Sequence, residues 1–206
     1  DLLAADAVLS ADGARWRPDR VALNVGSRGN TGFDVRVQTA SQDLHSGRYG
    51  GIVANPLHVL STLIAGLHDA RGRITAPGFY DGVREPSAAE KQEIADIHYD
   101  EDSALAVFGS KAYGEAGYST LERLWMRPTL DVNGMWGGYV GEGSKTVIAN
   151  EAFAKLTMRL VPGQDPQQVK QAVIDHLKAQ LPDVAELEIY GERGQSGAYA
   201  VPQDHP

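Results

Sequence analysis

Ala152-Phe153-Ala154-Lys155-Leu156-Thr157-Met158-Arg159-Leu160 is the stretch on which the fold is decided. Successive side chains of an extended strand point to opposite faces, so Ala152, Ala154, Leu156, Met158 and Leu160 share one face and Lys155, Thr157 and Arg159 the other. That alternation predicts a half-buried strand with one dry side and one polar side. Just downstream, Asp165 and Pro166 supply a helix cap and a first helical residue, and Val169, Val173, Leu177 and Leu181 recur at helical spacing. Pro182 and Asp183 stop that helix, after which Ala185, Leu187 and Ile189 alternate as a last strand.

The same pattern stands upstream. Phe33, Val35 and Val37 alternate with Asp34, Arg36 and Gln38, a second strand of period two. Asn55 is a good N-cap and Pro56 a good first helical residue, and Leu57, Leu60, Ile64 and Leu67 predict a helix over residues 55–70, closed by Gly72. Residues 129–132 read as a further strand, followed by a loop over 133–138 and a second glycine-rich loop over 141–146. The order strand, helix, strand, strand, helix, strand predicts an α+β fold of the ferredoxin-like βαββαβ kind: a four-stranded antiparallel sheet with two helices on one face. Residues 73–127 interrupt it as an insertion of loops and short helices. There Pro77-Gly78-Phe79-Tyr80-Asp81-Gly82 is dense in turn residues, and Ser87 with Glu90 and Ser119 with Glu122 form capping-box patterns. The stretch from Gly109 to Gly117 is expected to be exposed.

Composition excludes several classes. With 206 residues, 42% hydrophobic and 22% charged, the chain can bury a sizeable core. Its net charge of -8 argues against nucleic acid or a membrane surface as partner, because such binders carry a basic footprint. No apolar run approaches the roughly 20 residues of a membrane helix. The absence of cysteine removes disulfides, thiol catalysis and cysteine metal sites, and is compatible with a cytoplasmic location. Residues 1–28 offer two short strands, Ala7-Val8-Leu9 and Val21 to Val25, with too few partners for a sheet. Residues 191–206 carry little apolar content and read as a connector.

Five motifs now converge. Asp43-Leu44-His45-Ser46-Gly47 with Tyr49-Gly50-Gly51, Gly78-Phe79-Tyr80-Asp81, Gly141-Glu142-Gly143-Ser144-Lys145-Thr146-Val147-Ile148 and Met158-Arg159-Leu160-Val161-Pro162 together resemble the carnosinase-like dipeptidase branch of metallopeptidase family 20. Acetylornithine deacetylase, aminoacylase and succinyl-diaminopimelate desuccinylase belong to the same family. The resemblance covers nearly the whole chain and keeps motif order and spacing. It implies a catalytic domain holding two zinc ions, interrupted by a ferredoxin-like lid that forms a homodimer, and a dipeptide or N-acyl amino acid as substrate. Residues 1–28 then correspond to a remnant of the catalytic domain, 29–192 to the lid and 193–206 to the returning linker. Most of the family's zinc ligands fall outside this segment, so the chain alone is expected to be inactive. The alternative of a different class is a stand-alone ferredoxin-like module that dimerises or binds ligands without catalysis.

The resemblance also assigns roles. Asp12 resembles a metal ligand, against an ordinary Asp-Gly turn. His45 resembles the histidine that enters the partner subunit's active site and stabilises the oxyanion, against a loop histidine bonded to Asp43 or Ser46. Arg159 resembles the arginine that binds the substrate carboxylate, for which a guanidinium offers a bidentate pair; the ordinary reading is an exposed sheet arginine. Thr146 resembles a substrate-contacting hydroxyl, or is a strand-start threonine. Asn133 is as much a turn residue as a substrate contact. The glycine loop over 141–144 lacks the Walker spacing and following helix of a phosphate loop. Trp125, Trp136 and Tyr139 fit ordinary packing as well as a site or interface.

Overall fold

The computed structural model describes residues 24–201, so Asp12 and most of the two short strands expected before residue 28 lie outside the described residues. The strands are β1 (Gly26–Ser27), β2 (Gly29–Gln38), β3 (Leu44–His45), β4 (Thr129–Gly137), β5 (Val147–Ile148), β6 (Glu151–Leu160), β7 (Glu186–Ser196) and β8 (Tyr199–Ala200). The helices are α1 (Ser46–Tyr49), α2 (Pro56–Ala65), α3 (Ala88–Ala95), α4 (Glu101–Ala106), α5 (Thr120–Met126) and α6 (Pro166–Gln180). Four strands form one sheet in the order β4-β6-β2-β7, every neighbour antiparallel. With α2 and α6 packed on it, this is the ferredoxin-like arrangement expected from the alternation.

The alternating residues explain why the sheet holds. Phe33, Val35 and Val37 of β2 and Ala152, Ala154, Leu156, Met158 and Leu160 of β6 are no more than 1% exposed. They meet Leu60 and Leu63 of α2 and Val169, Val173 and Leu177 of α6 in one core. Each such side chain stabilises the fold by about 1.5–3 kcal/mol relative to exposure. A slip of one residue between β2 and β6 would turn the apolar row of one of them to solvent, so the pairing of Phe33 with Leu156 is fixed by burial.

Three boundaries differ from expectation, each for a local reason. α2 ends at Ala65 with Gly66 as its cap, rather than at residue 70. Asp69 Oδ1 accepts the N–H groups of Arg71 and Arg73, offering the backbone a turn that competes with helix. Gly72, at φ +74°, serves that turn, and Leu67 remains fully buried outside the helix.

β4 runs straight through the residues expected as a loop. Val132 pairs with Leu156 and Gly134 with Lys155, leaving Asn133 as the extra residue of a bulge. Beyond it Trp136 stacks on Phe153 at 5.2 Å, which carries the strand to Gly137 despite its glycines.

β7 likewise extends to Ser196, past the point at which a connector was expected. Its register shifts accompany Gly191 and Gly194, whose φ values of +58° and +61° suit glycine. Ion pairs replace apolar contacts there: Glu192 meets the buried Lys170 of α6, while Arg193 meets Asp34. Asp34 also accepts Lys155 Nζ at 2.9 Å. Burial works against its charge, but the hydrogen bonds from Lys155 and Arg193 prevail and hold the carboxyl below its ordinary value. Past β7, β8 pairs with β1.

The insertion is tied down by polar contacts. Both capping boxes form, Ser87 with Glu90 on α3 and Ser119 with Glu122 on α5. Glu115 is buried, although most of the Gly109 to Gly117 stretch is exposed as expected. Its carboxylate receives Arg127 through two hydrogen bonds of 2.8 and 2.9 Å, and Arg127 itself is 2% exposed and lies 4.3 Å from the Tyr118 ring. Gln164 donates to the Phe79 carbonyl at 2.7 Å, so the motif around Phe79 docks on the turn after β6.

Candidate functional site

His45 ends β3 and caps the single turn α1, and it is exposed. Its Nδ1 accepts the Gly47 N–H at 3.0 Å. In the neutral imidazole the proton therefore sits on Nε2, which is left as a donor. Nε2 lies 3.3 Å from the Thr146 hydroxyl. Neither Asp43 nor Ser46 takes the ring: Asp43 accepts the Asn150 N–H, and the Ser46 N–H donates to the Thr146 carbonyl. The pairing of His45 with Val147 across β3 and β5 thus brings the first glycine motif to the second, a hundred residues on.

Glycine at 47 is required by this geometry. A Cβ there would lie 2.9 Å from His45 Cε1 and 3.2 Å from Nδ1, closer than a packed side chain tolerates. Gly51, at φ +85°, then turns the chain toward the Asn55 cap of α2. The resulting groove beside His45 is lined by Gly50, Ile52, His58, Val59, Val147 and Ile148.

Arg159 occupies the other end of the sheet. It pairs with Asn30 of β2 and Thr129 of β4, on the face opposite the helices, and is exposed. From Arg159 back to Glu151, where β6 begins, eight strand residues rise about 3.3 Å each, or about 26 Å in all. The ribbon carrying His45 and Thr146 lies past that end, beside the first turn of α2. His45 and Thr146 are therefore brought together, and Arg159 is held away from both. Asn133 lies between them along the sheet, exposed on its bulge in an edge strand.

One arginine near Arg159 went unremarked in the sequence. Arg28, partly buried, directly precedes β2 and continues the alternation of Asn30 and Asp34 on the open face. Burial and then the charge of Arg159 lower its guanidinium below the usual value, with Asp131 opposing. The signal was the period-two register itself, extended backwards from Asn30 past the glycine at 29.

Among the described residues no three His, Asp or Glu side chains converge as a metal site, so these residues do not fit zinc. Also among them, no helix is long and apolar enough to cross a membrane.

Comparisons with known proteins agree with this architecture. The model of the peptidase dimerisation domain family of M20 enzymes matches residues 25–185. The chain is 33% identical over 175 residues to Beta-Ala-His dipeptidase of Rattus norvegicus, covering 84% of this chain and 36% of that protein. It is 31% identical over 177 residues to Cys-Gly metallodipeptidase DUG1 of Saccharomyces cerevisiae, covering 85% of this chain and 37% of that protein. The crystal structure of human carnosine dipeptidase 1 superposes with a TM-score of 0.76 at 29% identity, over 89% of this chain and 40% of that one. The chain thus spans little more than a third of the length of the curated relatives it matches. Sheet order, helix placement and the family match together make this chain a member of the M20 peptidase dimerisation domain family.

Proposed function

We propose that the chain is the lid and dimerisation part of a cytoplasmic dipeptidase or N-acyl-amino-acid amidohydrolase, working as a homodimer. In this reading His45 and Thr146 serve the active site of a partner subunit, while Arg159 binds the substrate carboxylate at the chain's own. The observation that carries it is the separation along β6. An extended dipeptide spans about 7 Å, against about 26 Å between Arg159 and the near edge of the His45 ribbon. One substrate cannot touch both ends of one lid. Two copies related by a two-fold axis can bring the His45 end of one to the Arg159 end of the other.

The chemistry of each end suits its role. Nε2 of His45 presents an N–H with its other nitrogen already occupied by Gly47. Such a fixed donor acts on the charge that develops on the carbonyl oxygen as the amide is attacked. Thr146 holds the ring in line through the same nitrogen until substrate arrives. Arg159 offers a planar pair of donors to a terminal carboxylate. Asn133, on the exposed bulge, is assigned to the same substrate cleft. The zinc pair expected of such an enzyme falls to residues beyond 24–201, with Asp12 proposed as one ligand.

Steady-state kinetics on the full-length enzyme that carries this chain test the assignment. His45→Ala should lower kcat about 10²–10³-fold with little change in KM, and Arg159→Ala should act mainly by raising KM for substrates with a free carboxylate. The isolated 206-residue chain should show no hydrolysis of dipeptides with added zinc. Turnover by the repurified chain, or a His45→Ala enzyme with unchanged kcat, contradicts the proposal.

A further inference from the structure

The open face of the sheet carries two guanidiniums side by side at one end. Asn30 stands directly opposite Arg159, and Arg28, two residues before Asn30, continues the same alternation just outside β2 and lies near enough to feel the charge of Arg159. In a regular sheet, residues in such a diagonal relation lie about 7–8 Å apart, within the joint reach of two arginine side chains. Elsewhere on this face the described arginines are paired: Arg36 with Glu151 and Glu188, and Arg193 with Asp34. Arg28 and Arg159 are not: among the described residues neither guanidinium makes an ion pair or a side-chain hydrogen bond. Asp131, the carboxylate on β4 nearest to them in register, accepts the Thr129 hydroxyl at 3.2 Å and acts on Arg28 through its charge alone, without a hydrogen bond.

Burial first, and then the neighbouring charge of Arg159, weigh against the Arg28 cation, with Asp131 only partly offsetting them. An anion seated between them removes the repulsion and receives up to four charge-assisted hydrogen bonds. The geometry points to Arg28 as a second specificity-determining residue, acting with Arg159 as a two-arginine clamp on the carboxylate-bearing end of the substrate. This rests on the reading of Arg159 given above. It adds that the site selects for negative charge more strongly than one arginine can. The carboxylate is supplied by the chain terminus of the substrate or by an acidic side chain on its last residue.

Three substrates separate the cases in the full-length enzyme: a dipeptide acid, its C-terminal amide, and a dipeptide ending in aspartate. The proposal expects Arg28→Ala to reduce the acid-over-amide ratio of kcat/KM about tenfold, through KM rather than kcat. Arg28→Lys should restore part of that ratio, because lysine keeps the charge and loses the planar fork. If the loss falls on the aspartate-terminated substrate alone, the clamp stands and the side chain is the second anion. If Arg159→Ala collapses the ratio while Arg28→Ala leaves it unchanged for both acids, Arg28 is no part of the clamp. If the wild-type enzyme does not discriminate acid from amide and Arg159→Ala changes nothing, the carboxylate reading of Arg159 falls and the clamp with it. Equal loss for acid and amide in Arg28→Ala, not relieved by Arg28→Lys, marks a merely structural arginine and overturns the proposal.

Discussion

At His45 the neighbouring backbone decides the chemistry. The imidazole is exposed, yet its tautomer follows from one backbone N–H and its aim from one hydroxyl. Nothing in the run Leu44-His45-Ser46-Gly47 reveals this by itself, because the second partner lies 101 residues away. What was legible was the glycine at 47 within its motif; its reason is the 2.9 Å that would separate a Cβ there from the His45 ring. Gly47→Ala forces the ring aside and breaks its fixed donor geometry. If His45 acts as proposed, a displacement near 1 Å costs about a hundredfold in rate, so Gly47→Ala should lower kcat by roughly that factor while thermal stability stays close to wild type. Long-range nitrogen–proton NMR spectra should show the Nε2–H tautomer of His45 in the wild-type enzyme and its loss in the variant. Unchanged kcat together with an unchanged tautomer would mean that Gly47 does not orient the histidine.

The elements divide by how their burial is encoded. β2, β6 and α6 were legible because each faces a core whose period, 2 or 3.6, is written in one row of side chains. The edge strands were legible only at their starts, over residues 129–132 and 185–189, and not in their continuations. β4 has one neighbour, so its glycines and the Asn133 bulge are tolerated, and they read as loop. β7 beyond Tyr190 is held by Glu192 and Arg193, whose partners belong to α6 and β2. The insertion hides the same kind of information, since Glu115 looks like a loop residue until Arg127 closes on it. Removing one partner of a buried ion pair leaves an uncompensated charge, so Arg127→Ala should destabilise the fold by about 3–5 kcal/mol. Arg84→Ala, which breaks an exposed pair with Glu90, should cost at most about 1 kcal/mol. Chemical denaturation of both variants checks the contrast; similar losses would mean that the Arg127 cluster does not hold the insertion.

For the whole molecule, the consequence of the fold is distance. The ferredoxin-like sheet was legible from the alternation, and the assignment to the peptidase dimerisation domain family rests on it and on the match over residues 25–185. The separation of His45 from Arg159 was not legible, because it depends on which strands pair and in what register. In the proposed homodimer each active site would be completed by two lids, one offering a guanidinium and the other an imidazole. On that proposal, dimerisation would be a condition of catalysis. The most direct measurement is complementation between two inactive full-length variants, His45→Ala and Arg159→Ala, mixed under conditions that exchange subunits and assayed at low substrate. A heterodimer pairs an intact Arg159 in one subunit with an intact His45 from the other, so one of its two sites is whole. Random exchange should therefore restore roughly a quarter of the wild-type sites. Activity no greater than the sum of the two parents, with heterodimers demonstrably present, would contradict the shared site and put His45 and Arg159 on the same subunit's substrate.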